Sequence, residues 1–290
     1  QKHWFSTKNF FFDYSLYTVN QEGENKAVKG VYADSQWNEQ VFRNGLQDKV
    51  TQLRLLERPC EQIVRGRYRV YLAPSAVAEI LTTTNWRGFG YSAYKRGISP
   101  FQQMIESKAS LSPLLTLKEN FGLGLNCQFN SIGEVAPDSL TLVENGSLKS
   151  LLINSKTAKE YGVVGNAASE AEHLRSPEIA TGTLEAANIL RELDTGIYIN
   201  NLHYLNWSDL RSARITGVTR YACFWVEKGE IAGPIRDLRF DESLYRCWGS
   251  ELEAITSQSI IDPAIGTYFE RETGGRKVPG MLIRDFTFTL

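Results

Sequence analysis

Two stretches near the start of the chain alternate between apolar and polar residues. Residues 10–18 read FFFDYSLYT and residues 27–33 read AVKGVYA, and a polar segment containing Gly23 lies between them. Alternation with a period of two is typical of a strand that is buried on one face, and glycine suits a tight turn. The pattern therefore predicts a β-hairpin at the start of the chain.

A helical period follows the hairpin. Apolar residues recur at spacings of three and four between Val41 and Leu56, and Pro59 then prevents the helix from continuing. A second helix is predicted directly after Pro74, with Ser75 as its N-cap. Apolar faces or end signals predict further helices at residues 100–106, 154–161, 184–193 and 242–258.

The pair Asn145-Gly146 marks the clearest hairpin of the chain. Apolar residues flank this pair within residues 139–153, and Asn-Gly readily adopts the positive φ angles of a tight turn. Other strands are predicted at residues 67–72, 114–117, 197–199, 213–218, 221–226, 231–240 and 281–290.

Helices and strands do not follow each other in the βαβ order that builds a parallel sheet. The pattern therefore predicts an α+β fold, with a large antiparallel sheet or an open barrel on which the helices pack. We expect two regions. Residues 1–64 hold the hairpin and the long helix, and residues 65–290 form the main domain.

Composition narrows the range of functions. The 290 residues include 32 Lys and Arg against 33 Asp and Glu, so the net charge of -1 gives no sign of the basic face of a nucleic-acid binder. No run of about 18 apolar residues predicts a membrane span. The first 12 residues lack the continuous apolar run of a signal peptide.

Catalytic motifs are scarce. The three histidines, His3, His173 and His203, do not share the spacing of metal ligands on one helix, and no HExxH or GxSxG sequence occurs. The four cysteines form no CxxC pair, and we interpret them as buried thiols, although a disulfide stays open. The residues alone show no catalytic apparatus.

Two long segments carry a family resemblance. Residues 139–165 (SLTLVENGSLKSLLINSKTAKEYGVVG) resemble the segment of the TldD/PmbA family in which a strand, an Asn-Gly turn and a Leu-Lys-x-x-Leu sequence lead into a short helix. Residues 196–243 resemble the C-terminal signature of that family, and FWVEKGEI at residues 224–231 is the best match within them. Residues 67–81 and 278–290 are similar to the strand-helix unit and the terminal strand of the family.

The resemblance implies a cytoplasmic protein of a family once described as modulators of DNA gyrase. Its members form a heterodimer that acts as a zinc metallopeptidase on peptides. TldD-type chains carry an HExxxH helix and a cysteine near the metal, whereas PmbA-type chains, also called TldE, lack the helix and help to form the chamber. Family members also have a further N-terminal domain, which we expect to be missing before residue 1.

The chain departs from the TldD-type pattern at each catalytic position. Residues 76–106, where the HExxxH would fall, contain no histidine. The Phe-Asp-x-Glu-Gly stretch of the family resembles residues 129–133 here, without its two acids, and the TldD-type cysteine position falls on Arg220. The resemblance is therefore to the PmbA-type subunit, with no metal ligand or cofactor in this chain and zinc expected in a TldD-type partner.

Three functions remain open. The first is a non-catalytic subunit that pairs with a TldD-type peptidase and helps to bind its peptide substrate. The second is an autonomous peptidase or hydrolase with a divergent site, for which His203, Tyr204 and Arg220 are the candidate residues. The third is a stand-alone binding or self-assembling module that forms a homodimer.

Overall fold

The computed structural model describes residues 2–268 and 271–289. The strands of this part of the chain are β1 (Phe10–Val19), β2 (Asn25–Asp34), β3 (Gly66–Leu72), β4 (Leu117–Asn120), β5 (Ser139–Glu144), β6 (Ser147–Leu148), β7 (Pro177–Ile179), β8 (Gly196–Ile199), β9 (Asn201–Asp209), β10 (Arg214–Arg220), β11 (Phe224–Glu227), β12 (Glu230–Pro234), β13 (Arg239–Ser243), β14 (Leu252–Pro263) and β15 (Gly275–Phe288).

The helices of the same residues are α1 (Glu39–Leu55), α2 (Pro74–Thr83), α3 (Tyr91–Lys95), α4 (Gln102–Ile105), α5 (Ser155–Tyr161) and α6 (Ile189–Leu193). Short 3₁₀ turns at Phe121–Leu123 and Ala186–Asn188 and a π-helical turn at Arg246–Ser250 complete the helical structure. In the described residues, no helix is both long and apolar enough to cross a membrane.

The predicted hairpin and the helix after it are confirmed. β1 and β2 pair antiparallel from Phe10 opposite Asp34 to Val19 opposite Asn25. The Asn38 side chain accepts a hydrogen bond of 3.1 Å from the Val41 N–H and so caps α1. The two elements pack through aromatic rings, as in the 5.7 Å centroid contact between Phe12 and Phe42.

A small apolar cluster joins the hairpin and α1 to β11. Val28 of β2 and Leu56, just after α1, are buried against Phe224 of β11 and Ala222, which precedes that strand. Burial of apolar surface is the main stabilising contribution at such a contact. The hairpin therefore has a defined position against the sheet.

The other thirteen strands form one open sheet. Its longest path runs β12-β11-β8-β3-β15-β7-β4-β5-β6, and β13, β10 and β9 continue from β15 on a branch. β14 also pairs with β15. The pairs β3–β8 and β15–β7 are parallel, whereas the other pairs are antiparallel. The α+β class is confirmed, and the sheet is mixed in direction.

The hairpin predicted at Asn145-Gly146 is present between β5 and β6. Both residues have positive φ angles, 47° and 76°. A Cβ atom on Gly146 would lie 2.3 Å from the Leu111 carbonyl oxygen, so the turn requires glycine for space as well as for conformation.

The helix predicted at residues 242–258 is wrong. The π-helical turn Arg246–Ser250 occupies its first half, and β14 occupies its second half. β14 runs along β15, with Ala254 opposite Leu282 and Ile260 opposite Val278. The strand is favoured by this partner from the end of the chain, which a local pattern does not reveal.

Several predicted boundaries also shift. Ser75 is not the N-cap of α2, because Pro74 occupies the first turn and Ala73 is the cap residue, without a side-chain hydrogen bond. Proline suits this position since its missing N–H would have no helical partner. The segment at 231–240 is divided between β12 and β13, and only residues 189–193 of the predicted 184–193 helix are α-helical.

Helix α2 packs against β9 and β15. Its inner face is apolar and buried, with Ala76, Val77, Ile80 and Leu81 in the main core. Residues one turn apart lie on the same face of a helix, so Ser75 and Glu79 share a different face. That face lines the cleft described next.

Candidate functional site: a charged cleft beside helix α2

A cleft of about 400 Å³ lies between α2, β2, α1, β9 and the end of β14. The acidic and basic side chains of its walls come from six elements of the fold. These side chains are Lys29, Lys49, Glu79, His203, Asp262 and Arg276.

Glu79 is the acidic group that α2 presents to the cleft. Its side chain is reached by solvent, yet protein surrounds it on several sides. The resulting loss of hydration raises the pKa of the Glu79 carboxyl above its usual value, against the opposing effect of Arg276. Among the described residues, no side chain forms an ion pair or hydrogen bond with this carboxylate, which leaves it available to a ligand.

Arg276 and Asp262 form a fixed ion pair on the opposite wall. The Arg276 Nε lies 2.7 Å from Asp262 Oδ2, and the Arg276 guanidinium also donates to the Thr82 hydroxyl of α2. Both side chains are about four-fifths buried. This pair joins β15, β14 and α2 and gives the wall a defined geometry.

Lys49 reaches the cleft from α1. Its ammonium donates to Gln52 Oε1 at 3.2 Å, and within the described part of the chain no carboxylate lies within 4 Å of it. Burial lowers the pKa of Lys49, because an ammonium loses hydration there. Lys29 differs, since its ammonium pairs with Asp13 at 3.3 Å.

His203 is the one residue of the three sequence candidates that lines the cleft. It lies on β9 opposite Val218, and its pKa is lowered by burial and by the nearby charge of Arg220. The imidazole is therefore neutral at neutral pH and can accept one hydrogen bond.

Tyr204 and Arg220 are neighbours of His203 outside the cleft lining. Tyr204 is 80% exposed, with its ring centroid 4.0 Å from that of His203. Its φ of 54° accompanies an irregularity in the β9–β10 pairing. Arg220 lies over the Tyr221 ring at 5.0 Å. The role of these three residues stays a prediction.

The residues of the cleft do not fit a zinc ion. In the part of the chain that the structure describes, Glu22, Glu24 and Cys60 are the one group of three side chains with ligand atoms within 4.8 Å of one another, and none lines the cleft. Lys26 and Arg236 already pair with Glu24, at 2.9 and 3.1 Å. Helix α2 supplies a single carboxylate and no histidine.

The buried thiols do not suit nucleophilic chemistry. Burial raises the pKa of Cys223 to about 11 and that of Cys247 well above its ordinary value. The thiolate is the reactive form of cysteine, so both thiols are unreactive at neutral pH.

Lys49 and Glu79 were not among the site residues predicted from the sequence. Each lies on an ordinary amphipathic helix, and their separation of 30 residues carries no motif. The one usable signal is that Glu79 falls within residues 76–106, where the family resemblance places a catalytic helix.

The comparisons with known proteins agree on the fold. The chain is similar to TldE from Thermococcus kodakarensis, at 14% identity over 97% of this chain and 63% of that chain, with a TM-score of 0.80. It is also similar to a proposed modulator of a DNA gyrase from Thermotoga maritima, at 16% identity over 96% and 62%, with a TM-score of 0.76.

A proposed modulator of DNA gyrase from Bacteroides thetaiotaomicron is similar too, at 14% identity over 97% of this chain and 60% of that chain, with a TM-score of 0.75. The chain thus spans less than two thirds of the length of these structures. The search of curated proteins found no match.

A family model also matches the sequence of this chain. The model of the PmbA/TldA metallopeptidase C-terminal domain matches residues 65–290. This match covers more than half of the chain and includes α2 and β9. The chain therefore belongs to the PmbA/TldD family.

Proposed function

We propose that this protein is a non-catalytic subunit of a heteromeric peptidase of the TldD/TldE type, which acts in the cytoplasm. One observation carries the proposal. Most of helix α2 falls within residues 76–106, where the family resemblance places the HExxxH of a TldD-type chain, and the helix presents Ser75 and Glu79 to the cleft and no histidine. Zinc hydrolysis requires several protein ligands and a bound water, so the metal would come from a TldD-type partner.

The cleft suits peptide binding by polar contacts. Lys49 and neutral His203 can interact with carbonyl oxygens, and Glu79 can accept from peptide N–H groups. Neither Lys49 nor Glu79 forms an ion pair within the described residues, so their contacts with a peptide would not replace an existing ion pair. We infer that the subunit contributes this wall to a shared substrate chamber.

The test combines metal analysis with peptide cleavage. The purified chain alone is expected to contain no stoichiometric zinc and to leave an unstructured peptide intact. Addition of a TldD-type chain with an intact HExxxH from the same genome is expected to give a complex that cleaves the peptide. Stoichiometric zinc together with cleavage by the single chain would contradict the proposal.

A matched pair of variants tests the contribution of the cleft. Glu79→Gln removes the free carboxylate of α2, and Glu39→Gln removes an exposed carboxylate of α1 that pairs with Arg43. In the mixed complex, Glu79→Gln is expected to raise the KM for the peptide, whereas Glu39→Gln leaves it unchanged. Equal KM values for both variants would show that Glu79 and its cleft do not contribute to binding of the peptide.

An autonomous hydrolase is the second candidate, and the proximity of His203 to Arg220 favours it. A neutral imidazole beside a guanidinium can act as a general base. This candidate predicts peptide hydrolysis by the chain alone that His203→Gln abolishes. Light scattering on the same sample tests the homodimer of the third candidate.

A further inference from the structure

A second and larger cavity lies at the other end of β9. It has a volume of about 850 Å³ and opens between the turn after α2, the loop at residues 170–173 and the end of β9. It shares no lining residue with the cleft beside α2. The function proposed above does not involve this second cavity.

Hydrogen bonds between separate segments hold its walls. The buried Glu172 carboxylate accepts from the Ser92 N–H at 2.8 Å and from the Asn154 N–H at 3.2 Å. The Trp207 indole N–H donates to the Trp86 carbonyl oxygen at 2.8 Å. The cavity is therefore preformed, which lowers the entropy cost of binding.

Two side chains of the turn after α2 are available to contact a ligand. Among the described residues, the Arg87 guanidinium makes no hydrogen bond, ion pair or ring contact, and Trp86 is 52% exposed. Arg87 also has a φ of 73°, which L-residues rarely adopt. Such conformations are concentrated at functional sites.

The charges of the walls restrict the class of ligand. Two guanidinium groups and three carboxylates line the cavity, and burial lowers the pKa of His173, so its imidazole is neutral. A doubly charged phosphate would be repelled by the three carboxylates. A peptide end carries only one negative charge, on its carboxylate, and its N–H groups can donate to Glu170, whose carboxylate forms no hydrogen bond or ion pair within the described residues.

We propose that this cavity binds the C-terminal end of a peptide, with the terminal carboxylate on Arg87 and the last side chain against the Trp86 indole. Guanidinium groups bind carboxylates through two parallel hydrogen bonds, and exposed indoles bind large apolar side chains. The proposal rests on the peptide-binding function above and adds a site that recognises chain ends.

The test is fluorescence anisotropy with the isolated chain and a fluorescein-labelled hexapeptide that ends in Leu-Phe. The free acid is expected to bind roughly tenfold or more tightly than the same peptide with a C-terminal amide, as expected for loss of a charged hydrogen bond. Arg87→Gln is expected to remove this difference, and Arg87→Lys to retain part of it.

Arg65→Gln is the matched control, because Arg65 is also exposed but lines neither cavity. It is expected to leave the preference for the free acid unchanged. Equal affinity for acid and amide, or an unchanged preference in Arg87→Gln, would overturn the proposal. This binding assay needs no partner chain, so its failure would leave the cleavage test of the mixed complex unaffected.

Discussion

The backbone N–H of Arg175 donates to both carboxylate oxygens of Glu119, at 3.0 and 3.1 Å. Glu119 is only 2% exposed, and burial raises its pKa to about 7 in spite of these hydrogen bonds and the nearby Arg175 charge. The Arg175 guanidinium instead donates to the carbonyl oxygens of Phe129 and Ala167 and stacks on Phe121. A titrating carboxyl thus lies within the loops that Arg175 holds together.

Because the Glu119 carboxyl has a raised pKa in the folded protein, the free energy of unfolding is expected to fall as the pH rises. The folded-state pKa of about 7 lies above the ordinary 4.5, so folding favours the protonated form. The stabilisation is complete below about pH 4.5 and is lost as the pH rises through about 7, and it amounts to about 3 kcal/mol.

Urea unfolding of Glu119→Gln at several pH values measures this effect. The variant lacks the titrating group, so its free energy of unfolding should fall less than that of the natural chain between about pH 5 and pH 8. Parallel pH profiles for the two proteins would show that Glu119 does not titrate in this range.

Alanine in place of Gly146 is expected to destabilise the turn between β5 and β6. A Cβ there would lie 2.3 Å from the Leu111 oxygen and 2.6 Å from the Ser112 oxygen, both in the backbone. We expect Gly146→Ala to lower the free energy of unfolding by about 3 kcal/mol or more.

Gly162 is the control for this substitution. It has a similar φ of 65° at the end of α5, but nothing lies within 4 Å of the added Cβ. Gly162→Ala should therefore cost only the conformational strain, about 1 kcal/mol. Equal losses of stability in the two variants, measured by thermal unfolding, would mean that the backbone around Gly146 moves to accommodate the added methyl group at little cost.

Lys49 is expected to react faster with amine reagents than an ordinary surface lysine. Burial lowers its pKa, which increases the unprotonated fraction near neutral pH. Lys108 is the internal reference, because its ion pair with Glu106 at 2.7 Å raises its pKa. Brief acetylation at about pH 7.5 followed by mass spectrometry measures both sites, and faster modification of Lys108 would contradict the prediction.

Glu242 is expected to be essential for folding of the main domain. It is fully buried, and its two oxygens accept from the Ser243 N–H, from Arg246 Nε and from both the N–H and the hydroxyl of Thr287. Glu242→Ala would leave these donors unsatisfied, at a cost of about 3–5 kcal/mol.

Glu39→Gln is the comparison in chemical unfolding, since the Glu39–Arg43 pair is exposed on α1. Its removal should change the free energy of unfolding by about 0.5 kcal/mol or less. A Glu242→Ala variant that unfolds like Glu39→Gln would show that the buried network contributes little.

Elements with strong local signals were predictable from the sequence. The helical period between Val41 and Leu56 and the Asn145-Gly146 turn depend on neighbouring residues, so no knowledge of distant partners is needed. β14 was missed because its pairing with β15 decides its conformation, and its own pattern also suits a helix. His203 was a candidate from its residue type, but its position in a cleft could not be predicted from the sequence.

The sequence by itself determined the family and the lack of histidine within residues 76–106, since both are properties of residue type and order. Only the tertiary structure decided that Lys49, Glu79 and His203 line one cleft, and that Arg87 and Trp86 line another cavity. Folding brings distant segments together, and the pKa of each group depends on the burial and charges that result. Those properties arise from through-space distances, which the order of residues does not state.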